Sequence, residues 1–123
     1  MQIVMVEPGK AAYPMELGHS LKAMQQAVGG AIQILYPLEE PVALVCHEEG
    51  KLLGLPPNRG LWDEEGRLYD IVCGPFFLCG APPQSDRLEG LTEGQARALL
   101  ERFGRPELFV RVGEGILCLP VEV

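Results

Sequence analysis

Apolar positions along this chain fall in short runs separated by turns rich in Pro and Gly, a pattern of strands with only brief helical stretches. Gln2 to Val6 is largely β-branched and stops at Glu7-Pro8-Gly9-Lys10, which predicts a first strand and a turn. Ala11 to Gly18 reads as irregular, with Pro14 as a breaker. Ser20 is placed to cap a helix from about Leu21 to Val28, with Leu17, Leu21, Met24 and Val28 as its apolar stripe. Gly29-Gly30 supplies the stop, because glycine enters the left-handed region without steric cost. Ala31 to Tyr36 predicts a further strand, closed by Pro37.

Val42 to Cys46 is apolar at every position, as a strand covered on both faces should be. Glu48-Glu49-Gly50 turns the chain, and Lys51 to Leu55 reads as a short antiparallel return. The paired prolines of Pro56-Pro57 remove two ladder donors, so Pro56 to Gly60 reads as a stiff loop. Tyr69 to Leu78 is the longest apolar stretch and predicts the most buried strand, with a bulge or an edge at Gly74-Pro75. After a polar loop from Ala81 to Gly90, Thr92-Glu93-Gly94-Gln95 fits a capping box. It opens a helix from about Glu93 to Phe103, with Ala96, Leu99, Leu100 and Phe103 inward and Gly104 and Pro106 as the stop. Leu108 to Val112 and Ile116 to Val121 flank Gly113-Glu114-Gly115 as a closing hairpin. The expected fold is α+β, one mostly antiparallel sheet with two helices, in a single domain over residues 1–123.

Composition narrows the function classes. The chain has 123 residues, of which 47% are hydrophobic, enough apolar material for one core. Its formal net charge of −7 repels phosphate backbones, so direct nucleic-acid binding is not expected. The first residues show neither a basic segment nor a long apolar one, and no run approaches the roughly 20 apolar residues that span a bilayer. A cytoplasmic protein away from membranes is the expectation. Cys46, Cys73, Cys79 and Cys118 lie in or beside apolar runs without a CxxC pair, and neither His19 nor His47 stands at a zinc spacing. Buried free thiols are expected, with no metal and no cofactor.

Standard catalytic signatures are missing: no GxSxG, P-loop, HExxH or GxGxxG follows a strand, and no catalytic residue is assigned. A binding role is favoured over an enzyme. Asn58 and Arg59 follow the rigid prolines and precede Gly60, so an amide and a planar fork are held on a stiff frame. Trp62, the one tryptophan, could cover a flat ring, while Tyr69 and Asp70 could add a hydroxyl and a carboxylate. Lys10 would join only by facing the Arg59 segment. A purely structural alternative has Arg59 paired with Asp63 or Asp70, Trp62 as a lid on the core and Asp70 capping a turn.

The same residues carry a resemblance. VEPGK near the start, VGG after the first helix, YP, PVALVC-x-EEGKL-x-GLP-x-NR and YDI-x-x-GPFF together resemble the family called domain of unknown function 3846, over about residues 1–80. His47 stands where a polar residue such as asparagine is more usual in the family it resembles, and Trp62 where another aromatic is common. The resemblance implies a small protein of phages, plasmids and conjugative elements, with an accessory role such as counter-defence, and brings no catalytic residue with it. Two functions follow as expectations. In the first, the protein binds and sequesters a small anionic ligand such as a nucleotide signal. In the second, it is an acidic interaction module or DNA mimic that blocks a host nucleic-acid-binding protein. A homo-oligomer is expected in either case.

Overall fold

A computed structural model describes residues 1–121, so Glu122 and Val123, the end of the expected 81–123 helix-and-hairpin segment, lie outside the described residues. In chain order the elements are β1 (Gln2–Val6), β2 (Tyr13–Glu16), α1 (Leu21–Val28), β3 (Ile32–Leu35), β4 (Val42–His47) and β5 (Pro57–Trp62). They continue with β6 (Leu68–Cys73), β7 (Phe76–Gly80), α2 (Glu93–Phe103), β8 (Glu107–Val112) and β9 (Gly115–Pro120). The fold is α+β. Its strands form a five-stranded sheet in the order β2-β1-β7-β4-β3, antiparallel at every pairing, and two ribbons, β5-β6 and β8-β9.

Period-two alternation sorts the central strands onto two cores. Ile3, Met5, Ala43, Val45, Phe77 and Cys79 face α1, where Val28 is buried and Met24 and Ala27 pack beside it. Val4, Val6, Val42, Leu44, Phe76 and Leu78 face the other way, toward Leu99 and Phe103 of α2 and Leu61 and Val72 of the β5-β6 ribbon. The unbroken apolar run in β4 is thus explained: both faces are covered.

Both helices begin and end where their caps dictate. Ser20 accepts from the Ala23 N–H at 3.0 Å, and Gly29 at φ 89° returns its N–H to Gln25 at 2.8 Å. Thr92 and Gln95 make both bonds of the capping box, at 3.1 and 2.9 Å. Leu21, expected on the inward stripe, is exposed instead, because α1 is only two turns long and packs through its other side.

Four local expectations need correcting. Ala11 to Gly18 is not irregular: β2 pairs with β1, and Pro14 is tolerated because β2 is the sheet edge, where a missing donor faces outward. Lys51 to Leu55 forms successive turns rather than a strand. Pro57 does not bar a strand but starts one, the position where proline is allowed. Tyr69 to Leu78 is two strands in different sheets, divided at Gly74, whose φ of 86° turns the chain just before Pro75.

The turn between β1 and β2 holds a small titrating cluster. Tyr13 donates its hydroxyl to Glu7 at 2.8 Å, and Lys10 Nζ lies 3.1 Å from the same carboxylate. The Tyr13 bond first, and Lys10 second, hold the Glu7 carboxyl below its usual 4.5. Burial and the bond to Glu7 push the Tyr13 phenol above its usual 10.0. A lowered acid contributes above its unfolded pKa and loses that contribution as pH falls through the folded value. A raised phenol contributes below its unfolded pKa and loses it as pH rises through the folded value. Tyr13→Phe is therefore expected to cost about 0.5 kcal/mol between these limits, the contact being well solvated, and to match the parent only once pH is well below 4.5 or well above 10.0. Urea midpoints across that range check it; a constant offset at all pH values would refute the assignment.

Candidate functional site

The β5-β6 ribbon carries most of the residues singled out in the sequence, and it divides them sharply. Between Pro57 and Arg59 the ladder skips a residue: Pro57 pairs with Cys73 and Arg59 with Val72, leaving Asn58 as a bulge. Consecutive strand residues normally face opposite sides, but this bulge sends Asn58 and Arg59 both inward, each at 0% exposure. Asn58 Nδ2 donates to the carbonyls of Val6 at 3.0 Å and Gly74 at 2.9 Å, tying the ribbon to the end of β1 and to the β6-β7 corner. Its Oδ1 accepts from Arg59 Nη1 at 2.9 Å.

Arg59 spends its fork on main-chain oxygens. Nε donates to Phe103 O at 3.1 Å, Nη1 also reaches Asn58 O at 3.2 Å, and Nη2 donates to Lys10 O at 2.7 Å. Phe103 is the last residue of α2, so a cation stands where helical carbonyls are unsatisfied and the helix dipole is negative. Burial lowers the Arg59 pKa, and Glu107 opposes that shift. Arg59 pairs with neither Asp63 nor Asp70. Asp63 Oδ1 accepts from the Glu65 and Arg67 amides within its own turn, and Asp70 is ion-paired with Lys51. Lys10 does meet Arg59, but through its carbonyl; its ammonium belongs to Glu7.

Trp62 and Tyr69 lie at the outer end of the ribbon. Together with Tyr36, from the segment after β3, they line a cleft of about 660 Å³. Glu39 and Glu40 form one wall and Asp63 and Glu64 another, with Arg102 of α2 as the one cation in the lining. Asp70 is separate: it lines the adjoining clefts beside Lys51 and Cys73. There Cys46 is pushed up to about 11, chiefly by burial, and Cys73 is raised for the same reason, so both thiols stay protonated at neutral pH. All four cysteines are free. Among the described residues, no group of three His, Cys, Asp or Glu side chains could hold a metal ion, and no helix is long and apolar enough to cross a membrane.

Of the six expected ligand-binding residues, the structure brings Trp62 and Tyr69 to one cleft and Tyr69 with Asp70 to an adjoining one, while Asn58, Arg59 and the Lys10 carbonyl share an internal hydrogen-bond network. Sequence reasoning passed over Tyr36, Glu39, Glu40, Glu64 and Arg102. The available signal was a repeated pairing, an aromatic residue followed closely by acidic ones, in Tyr36-Pro37-Leu38-Glu39-Glu40 and again in Trp62-Asp63-Glu64.

Residues 1–104 match the family described as "Domain of unknown function (DUF3846)". The chain belongs to this family. Its DUF3846 domain runs from β1 to the end of α2 rather than stopping near residue 80, and the β8-β9 hairpin lies outside the matched residues. No curated protein and no solved structure matches the chain.

Proposed function

We propose that this DUF3846 protein is an acidic interaction module whose aromatic cleft receives a basic segment of a partner protein. One observation carries the reading: Tyr36, Trp62 and Tyr69 line a single cleft walled by four carboxylates against one guanidinium. Aromatic faces attract Lys and Arg within about 6 Å, and flanking carboxylates supply the long-range attraction. An anionic ligand finds less here, because the arginine best suited to it is enclosed and hydrogen-bonded to main-chain oxygens. In the mobile-element setting that the family resemblance implies, the partner would be a basic cytoplasmic host protein of the nucleic-acid-binding kind.

Trp62 is the sole tryptophan, so its fluorescence reads the cleft directly. An arginine-rich decapeptide is expected to quench it, with affinity falling about tenfold between low and physiological salt as exposed charges are screened. Glu39→Gln with Glu40→Gln should weaken the peptide severalfold, and Trp62→Ala should remove about 1 kcal/mol by calorimetry. Quenching by adenine or guanine nucleotides and not by the peptide would reverse the assignment in favour of an anion-binding cleft served by Arg102.

A further inference from the structure

The β8-β9 hairpin presents two faces of opposite character. Its register sets Glu107 against Pro120, Phe109 against Cys118 and Arg111 against Ile116 on one face. Leu108 against Leu119, Val110 against Leu117 and Val112 against Gly115 make the other. The first face is fixed to the body. Glu107 Oε1 accepts from the Gly60 N–H at 2.9 Å and from the Cys118 thiol at 2.6 Å, while Phe109 and Ile116 wall a groove against β6. The hairpin therefore cannot roll over to hide its second face. On that face Leu108, Val110, Val112, Leu117 and Leu119 are 40% to 57% exposed, and Val121 extends the patch. Every side chain in it is aliphatic.

We infer that this face packs against the same face of a second copy of the chain, giving a twofold, face-to-face dimer. Three observations select a second copy as the occupant. The six side chains expose roughly 500 Å² per protomer, a size at which a contiguous apolar patch marks a contact surface; two such patches total about 1,000 Å², the lower limit of a specific interface. Being aliphatic along both strands, the patch needs no charge or hydrogen-bond partner and can serve as its own complement, as an isologous contact requires. It is also an uncharged surface on a chain of net charge −7, so two like-charged copies can meet there with the least repulsion, whereas a basic partner is drawn to the carboxylates of the cleft. Two-stranded ribbons are marginal with one face wet, and stacking two of them at the usual 10 Å spacing removes that exposure.

Sedimentation velocity on the full chain over a broad concentration range tests the proposal. The parent should pass from monomer to dimer with a dissociation constant on the order of micromolar, given the modest area, and more salt should strengthen it by screening the net charge. Leu117→Glu should raise the dissociation constant about 100-fold, since like charges would meet in a desolvated contact. It should leave the circular dichroism and the melting point of the dilute monomer unchanged. Mixing Leu117→Glu with Leu117→Lys should restore a dimer containing one of each, which mere loss of stickiness would not do. A parent that stays monomeric at the highest concentration, or a Leu117→Glu protein that dimerises like the parent, overturns the inference.

Discussion

Arg59→Ala is expected to lose about 3–5 kcal/mol of stability, enough to leave a domain of this size marginal or unfolded. Truncation would strand the carbonyls of Phe103, Lys10 and Asn58 and the Asn58 Oδ1 in the interior, each at about 1–3 kcal/mol for an unpaired buried group, with partial relief from relaxation. It would also leave a hole where a fully enclosed side chain stood. Arg59→Lys should be milder but still costly, about 2 kcal/mol, because one ammonium cannot reproduce a fork bonded in three directions. Urea denaturation followed by circular dichroism measures both. An alanine variant within 1 kcal/mol or so of the parent would show that the network contributes little net stability. A further consequence concerns binding studies: ligand loss in Arg59→Ala would report unfolding and say nothing about a site.

Phe76→Ala should cost a comparable amount, about 4 kcal/mol, from lost burial and the cavity left behind. Phe76 is fully enclosed between β1, the β5-β6 ribbon and α2, and meets Phe103 edge-on with centroids 6.0 Å apart at 82°. A double-mutant cycle with Phe103→Leu should return a coupling of about 1 kcal/mol for the aromatic pair. Because the Phe103 carbonyl also receives Arg59 Nε, Phe76→Leu and Arg59→Lys are expected to be non-additive, as residues sharing one partner are. Strict additivity would mean that the end of α2 is held by other contacts.

What was legible in the sequence was local. Ser20 with Gly29, and Thr92 with Gln95, announced both helices because a cap bonds within three or four residues of itself. The unbroken apolar run at Val42 to Cys46 announced a strand covered on both sides, since alternation is lost only there. Pro14 and Pro57 misled for a common reason: whether a missing donor matters depends on what lies beside it, and an edge or a strand start is not written in neighbouring residues. Asn58 and Arg59 misled more deeply. Polar residues between prolines and a glycine read as a stiff loop, yet their partners Val6, Lys10 and Phe103 lie 52, 49 and 44 residues away. Trp62 and Tyr69 lie near each other because they stand toward the same end of one two-stranded ribbon. The carboxylates of the cleft did not, since Glu39 and Glu64 meet only in the folded chain.

The bulge at Asn58 makes the β5-β6 ribbon a cantilever. Its root is tied to β1, to the β6-β7 corner, to the end of α2 and, at Gly60, to Glu107 of β8, while Trp62, Asp63, Glu64 and Tyr69 toward its far end line the cleft. A ribbon held this firmly at its root delivers its aromatic side chains to one place without being ordered anew at each encounter. Whatever occupies that cleft meets Trp62 and Tyr69 already positioned, so little of the contact energy is lost to conformational entropy. Loosening the root would be felt first as slower, weaker capture at a tip some residues away.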